Sequence, residues 1–212
     1  MSTVKKVTSA GESDKSLNMY NPKHFINDNE DELHDLIDEF PFATLIAGDE
    51  VNHLPLYRDG NKLVGHMSRK NPLSLSEKVK VIFHGPHTYI NSSWYAKNDV
   101  PTWNYAVVHV DGTLKLVEDA KGVLKILNFS NDHMNKMYEE KWDMYVPEDL
   151  RGSDLTNAIV GFEISMDKIE GKFKLSQNRK DDDYTGVLEG LKRRKDEMSQ
   201  KIRQMMLRPR PR

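Results

Sequence analysis

Cysteine is absent from the 212 residues. That excludes a disulfide framework, a thiolate metal site and a cysteine nucleophile, and it agrees with an intracellular chain. No stretch of eighteen consecutive apolar residues occurs, and the opening MSTVKKVTSAGESDKS has no apolar run of the kind a secretory signal needs. The expectation is a cytoplasmic protein, or a nuclear one in a eukaryote, with no membrane partner. Phosphate-cradling GxGxxG and Walker loops, the GxSxG elbow, HExxH and kinase signatures are all missing, so the familiar nucleotide, hydrolase and zinc-protease chemistries have no support. The eight histidines form no spacing that demands a metal, and no metal site is expected.

Net charge is also small, at -2, with 37% hydrophobic and 30% charged residues. Those values describe one soluble domain with a modest apolar share, which a subunit interface would supplement. The balance conceals an asymmetry. Residues 28–39 carry seven acidic side chains and no Lys or Arg, whereas residues 192–212 carry nine basic against two acidic ones. A basic end of this kind offers contact with an anionic surface such as DNA, although it reads equally as a solvated helix face and a frayed tail.

The chain divides into a polar leader at 1–17, a domain at 18–207 and a basic tail at 208–212. Leu33, Leu36, Ile37 and Phe40 fall at helical spacing, which predicts a short helix over 31–40 that Pro41 ends. Short β-rich runs follow at 42–47, 51–58, 62–68, 79–85, 87–95, 103–110 and 113–117. Asp-Gly pairs at 59–60 and 111–112 mark hairpins. Helices are predicted over 120–129 and 131–140, a further strand region over 158–175, and one long helix over 184–206. The fold class is mainly β with peripheral helices, an antiparallel sheet that closes or nearly closes to hide its edges.

Three clusters carry candidate chemistry. His66, Ser68, Arg69, Lys70 and Asn71 leave a predicted strand with the cation, hydroxyl and amide groups that a phosphate ester needs. Trp94, Tyr95, Trp103, Asn104 and Tyr105 gather aromatic rings and an amide about Pro101, suited to flank a planar heterocycle or to fill an interface. Lys174, Gln177 and Arg179 sit at the end of another predicted strand, where cations and amides suit a phosphate, a flavin edge or an ordinary surface turn.

Read together, MYNPKHF at 19–25, FPFATL at 40–45, HLPLY at 53–57, GHMSRKNP at 65–72, FHGPHTYI at 83–90, VPTWNY at 100–105, AIVGFEI at 158–164 and GKFKLSQNR at 171–179 closely resemble the PaiB-type FMN-binding regulators. That family is similar in turn to the pyridoxamine-phosphate-oxidase split barrels. The resemblance implies an antiparallel, Greek-key split β-barrel, assembled as a homodimer with FMN near the subunit interface. It places Ser68, Arg69 and Lys70 on the FMN phosphate and runs His53, Leu54, Pro55 and Leu56 beside the flavin ring. His66, Asn71, Trp103, Asn104, Tyr105, Lys174, Gln177 and Arg179 become pocket residues. Where the family reads YISPSWY, this chain has Tyr89-Ile90-Asn91-Ser92-Ser93-Trp94-Tyr95 without the proline, which loosens that loop's claim to a ligand contact. The function implied is negative transcriptional regulation, with an FMN-dependent oxidoreductase or haem-handling flavoprotein as the alternative.

Overall fold

The computed structural model describes residues 18–71, 78–97, 99–142 and 158–208; the leader, Pro72 and the tail beyond Arg208 lie outside them. Among the described residues there are nine strands: β1 (Ile26–Asn27), β2 (Phe42–Ala47), β3 (Glu50–Pro55), β4 (Tyr57–Asp59), β5 (Lys62–Ser68), β6 (Lys78–Ile90), β7 (Thr102–Val117), β8 (Ile159–Ser165) and β9 (Lys168–Lys174). The same residues form the helices α1 (Glu30–Glu39), α2 (Ala120–Tyr138), α3 (Asp181–Lys192) and α4 (Glu197–Met206). All pairings are antiparallel, in the order β3-β2-β6-β7-β8-β5-β4, with β9 against β1 and β7. The first half of β7 pairs with β9 and the second half with β8, so this one strand belongs to both sheets of a split barrel.

The barrel interior follows from period-2 alternation. On β2, Ala43, Leu45 and Ala47 point inward, while Phe42, Thr44 and Ile46 point out. Phe83, Phe162, Leu45, Leu63 and Ile164 are fully buried and fill the centre. Each such side chain contributes about 1.5–3 kcal/mol on leaving water.

Several boundaries differ from the sequence reading. The predicted runs 79–85 and 87–95 merge into a single strand, β6, that has an irregularity between His84 and His87 and ends at Ile90, after which Ser92–Trp94 form a 3-10 turn. The runs 103–110 and 113–117 are likewise one strand, because Gly112 lies inside β7 and pairs with Val79. Asp59-Gly60 is the hairpin turn expected of it, with Gly60 at φ +62 in the left-handed region. The helices expected on either side of Ser130 are one, since the Ser130 hydroxyl donates to the Ile126 carbonyl (2.8 Å) and leaves the backbone ladder intact. The long terminal helix divides in two: Asp196 accepts from the Ser199 amide (2.9 Å), and this cap starts a second helix after a four-residue turn. Helix α4 then lies on β6, where the Thr88 and Ser199 hydroxyls meet at 2.8 Å. Among the described residues no helix is long and apolar enough to cross a membrane.

Candidate functional site

The Ser-Arg-Lys cluster sits where β5 ends. Ser68 pairs with Ile159, and the Arg69 amide donates to the Ala158 carbonyl (3.0 Å), which extends the strand pairing by one residue. The chain then turns: the Lys70 amide donates to Ser68 Oγ (3.3 Å) and the Asn71 amide to the Ser68 carbonyl (2.9 Å). Ser68, Arg69 and Lys70 are exposed. Arg69 makes an ion pair with Glu118 (3.0 Å), a surface interaction worth less than about 1 kcal/mol, so an anionic ligand displaces it at little cost. The His53–Leu56 segment reaches the same strand from the other side. A Cβ on Gly65 would lie 2.6 Å from Leu56 Cδ2, so only glycine lets β5 approach the end of β3 this closely. Leu54 and Leu56 are themselves buried and contribute backbone and packing, while His53 is exposed.

The Trp-Asn-Tyr cluster opens β7, beside the end of β9. Tyr105 is paired with Lys174, whose ammonium donates to the Trp103 carbonyl (2.8 Å) and to the Thr102 hydroxyl. Burial, together with Lys172 and Arg179 nearby, holds the Lys174 pKa below its ordinary value. Trp103 is 51% exposed, with its ring against His87 (5.5 Å) and Tyr89 (6.3 Å).

The other expected contacts are committed to the scaffold. Asn104 is fully buried and exchanges hydrogen bonds with the Ser176 hydroxyl (3.0 and 3.1 Å). Ser176 has φ 63, and Gln177 closes the turn around it by accepting from the Leu175 amide (2.6 Å) and donating to the Phe173 carbonyl. Arg179 pairs with Asp99 and lies 4.4 Å over the Tyr95 ring. Gln177 faces a separate cavity of about 250 Å³ between β1 and helices α3 and α4.

These two clusters do not share one rim of the barrel. Arg69 reaches Glu118, just past the end of β7, while Trp103 and Lys174 lie at its start. Fifteen residues of strand at ~3.3 Å each separate them by a contour of about 50 Å before bending. Within a single chain the phosphate-type and ring-type groups lie at opposite ends of β7.

A cleft of about 260 Å³ on the outer face of the β6–β7 sheet is lined by His84, Gly85, His87, Trp103, Tyr105, Ala106 and Val107. The two histidines did not emerge from sequence reasoning as pocket residues. Three residues apart on a regular strand they would face opposite sides, but the register skip at Gly85-Pro86 sets His84 opposite Val107 and His87 opposite Tyr105, on one face. The Gly-Pro pair between two histidines was the available signal.

Against this geometry, the comparisons are specific. Residues 19–168 match the family described as "Putative FMN-binding domain". The chain belongs to this FMN-binding family. "Protease synthase and sporulation protein PAI 2" of Bacillus subtilis (strain 168) is 34% identical over 203 residues, covering 89% of this chain and 96% of that protein. Uncharacterized protein AN0679 of Emericella nidulans is 28% identical over 163 residues, covering 60% of this chain and 65% of its own. Among solved structures, the flavocytochrome Anf3 from Azotobacter vinelandii matches with a TM-score of 0.55 at 14% identity, covering 76% of this chain and 75% of that one. The FAD and heme binding protein from Mycobacterium smegmatis matches at 0.53 and 15% identity, over 70% and 73%. The split-barrel fold of the FMN-binding family is thus shared with distant flavoproteins, and FMN is the family's cofactor. Its needs fit what is present: exposed donors and cations at Ser68–Lys70, and an aromatic cleft at Trp103 and Tyr105. No group of three or more metal-ligating side chains suited to hold an ion occurs among the described residues.

Titration behaviour is a direct check on the site's burial. His66, His84 and His109 are each held below the usual imidazole value of 6.5, with burial as the leading cause in all three. Above that value the rings are neutral in both folded and unfolded chains. As pH falls through it the unfolded chain takes up protons first, so stability is lost until the folded-state values are reached. Urea unfolding at about pH 7.5 and about pH 5.5 is expected to give a lower midpoint at the acid value. His66→Gln should narrow the difference; an unchanged difference would show that His66 does not contribute.

Proposed function

We propose that this chain binds FMN between two subunits, one supplying Ser68, Arg69 and Lys70 to the phosphate and the other supplying Trp103, Tyr105 and Lys174 to the ring. His66 and Asn71 border the phosphate half and His53–Leu56 run beside the ring, while Asn104, Gln177 and Arg179 act by shaping the ring half. The separation of the half-sites along β7 carries this reading. A cofactor that needs both groups has to bridge two copies of the chain. The face that would pair is the outer surface of the β3-β2-β6-β7 sheet, where Phe42 (64%), Val51 (58%) and Trp103 (51%) are exposed. An apolar sheet face of this kind suits a self-complementary two-fold contact.

Mixing defective subunits tests the arrangement. Arg69→Ala and the double variant Trp103→Ala, Lys174→Ala should each fail to bind FMN at a concentration that saturates only the wild type. Dissociated and reassociated together, they should recover about a quarter of the wild-type sites, because half the dimers are mixed and each mixed dimer holds one intact site. No recovery, with both variants dimeric by sedimentation, would place the site within one chain.

At the level of physiology the reading is a flavin-responsive negative regulator, supported by the full-length similarity to the sporulation protein PAI 2. Any DNA contact would run through phosphates at the exposed turn Lys192, Arg193 and Lys195 rather than through an inserted helix, since Ile202 and Met206 bury α4 against the barrel. Retardation of promoter DNA that weakens steeply with salt, without turnover of NADH or NADPH, supports regulation. The His84–His87 cleft beside the ring residues favours the second reading, an FMN-dependent oxidoreductase, and turnover of either nicotinamide with an acceptor would establish it.

A further inference from the structure

Thr44 projects from β2 between two histidines on the neighbouring strands. Its Oγ1 lies 3.1 Å from Nδ1 of His53 on β3 and 3.3 Å from Nε2 of His84 on β6. The three side chains run across three adjacent strands of the outer sheet face, and the last of them lines the cleft with Trp103 and Tyr105. A single hydroxyl can donate to one ring nitrogen while accepting from the other. One of the two facing nitrogens must then carry hydrogen and the other must not, so each ring sets the tautomer of its neighbour. Among the described residues His84 Nδ1 has no hydrogen-bond partner, which leaves that nitrogen for an occupant of the cleft.

We infer that His53, Thr44 and His84 form a proton relay that connects the rim of the sheet face to the cleft. The balance is simple. A proton taken up at Nε2 of His53 lets the Nδ1 proton pass to Thr44 Oγ1 as the hydroxyl's own proton passes to Nε2 of His84. His84 then releases its Nδ1 proton to an acceptor in the cleft. One proton enters and one leaves; both rings finish as the Nε2–H tautomer, and the relay is reset when each ring exchanges back to its Nδ1–H tautomer and the hydroxyl turns again toward His84. The role rests on the two-subunit flavin site proposed above, because a face covered by a second copy is the one that needs an internal route for protons. The chemical class served is a bound redox cofactor or its substrate that gains a proton with its electrons.

Two further observations agree. Regular pairing sets Ile82 opposite Thr44 and so puts His84, two residues on, on this face, while the irregularity at Gly85-Pro86 brings His87 onto it beside His84. Burial, with smaller contributions from His53 and His87, lowers the His84 pKa, so its ring is neutral near pH 7 and free to accept a proton. The titratable groups that act on the relay rings are His87 on the same strand and His109 on β7. The fixed charges of the face lie further off: Lys80 is paired with Asp111, and the Lys172 ammonium is held by the Tyr20 carbonyl (2.6 Å).

Thr44→Val removes the hydroxyl and keeps the shape, and Thr44→Ser keeps the hydroxyl. Nitrogen-15 spectra of the imidazoles in the cofactor-free protein should show opposite protonation of His53 Nδ1 and His84 Nε2 in the wild type and in Thr44→Ser. In Thr44→Val both rings should relax to the tautomer mixture of the exposed His24. Identical tautomers in wild type and Thr44→Val, or a Thr44→Ser variant that behaves like Thr44→Val, would overturn the relay. With FMN added, the midpoint potential of the wild type should change slope by about 30 mV per pH unit, the value for one proton in a two-electron couple, at the pH where His84 titrates. Thr44→Val should abolish that break, and a break that persists unchanged overturns the relay's link to the cofactor. Failure to bind FMN at all would count against the flavin site alone, since the cofactor-free spectra decide the relay independently.

Discussion

Replacing Arg69 with alanine is expected to weaken FMN binding by about 1–3 kcal/mol, roughly 5- to 150-fold in Kd, the scale for losing a charge-assisted hydrogen bond to phosphate. The guanidinium stands exposed beside Ser68 and Lys70 at the end of β5, with Glu118 as its ion-pair partner at 3.0 Å. Glu118 is 61% exposed at its side chain, so Glu118→Gln is expected to leave the fold intact and to leave FMN binding equal or tighter. Quenching of flavin fluorescence on titration measures both variants. Equal affinity of Arg69→Ala and wild type would remove Arg69 from the phosphate, and the two-subunit site would lose its cationic half. Arg179→Ala is the contrasting case. Its guanidinium is engaged by Asp99 and the Tyr95 ring, so the loss should appear first as loosening of the contacts at Tyr95 and Asp99.

Gly112→Ala should cost about 3 kcal/mol of stability or more, the upper range for forcing atoms into a packed site, whereas Gly60→Ala should cost only about 1–2 kcal/mol. Both glycines follow aspartate, and a sequence reading treats the two Asp-Gly pairs alike. The structure separates them. A Cβ on Gly112 would lie 1.9 Å from the Ser165 carbonyl oxygen and 2.7 Å from Ile164 Cγ2, where β7 passes from one sheet to the other. A Cβ on Gly60 would meet nothing within 4 Å, and the only cost there is the left-handed backbone at φ +62. Urea unfolding of the two variants gives the comparison. Equal midpoints would mean that β7 is broken at Gly112, and with it the division of one strand between two sheets.

The same contrast explains which parts of the fold were legible. Helix α1 was visible from Leu33, Leu36 and Ile37, since a 3.6-residue spacing of apolar groups has few other uses, and all three are buried. Strands β2 and β5 were visible for the corresponding reason. The continuity of β6 and β7 was not, because a glycine or proline in a long strand carries the same local signal as one in a turn. What decides between them is the partner chain alongside: Gly112 is held in β7 by Val79 and Ser165, which are distant in sequence. The split of the last helix was closer to legible, since Asp196 followed three residues later by Ser199 supplied a cap within an otherwise helical stretch.

For the site, residue type and chain order were enough to name the FMN-binding family and to put forward Ser68–Lys70, Trp103, Tyr105 and Lys174 as candidate cofactor groups. Those properties are local: a hydroxyl beside a guanidinium, or two rings beside a proline, are the same groups whatever surrounds them. Their spatial relations were decided by tertiary structure. The length of β7 places the two sets of groups at opposite ends of one strand, and the skip at Gly85-Pro86 brings His87 into the cleft beside His84. Packing withdraws Asn104 and Gln177 into the scaffold. The physical reason is that side-chain chemistry belongs to the residue, whereas distance and facing are set by strand pairing between segments that sequence order does not connect.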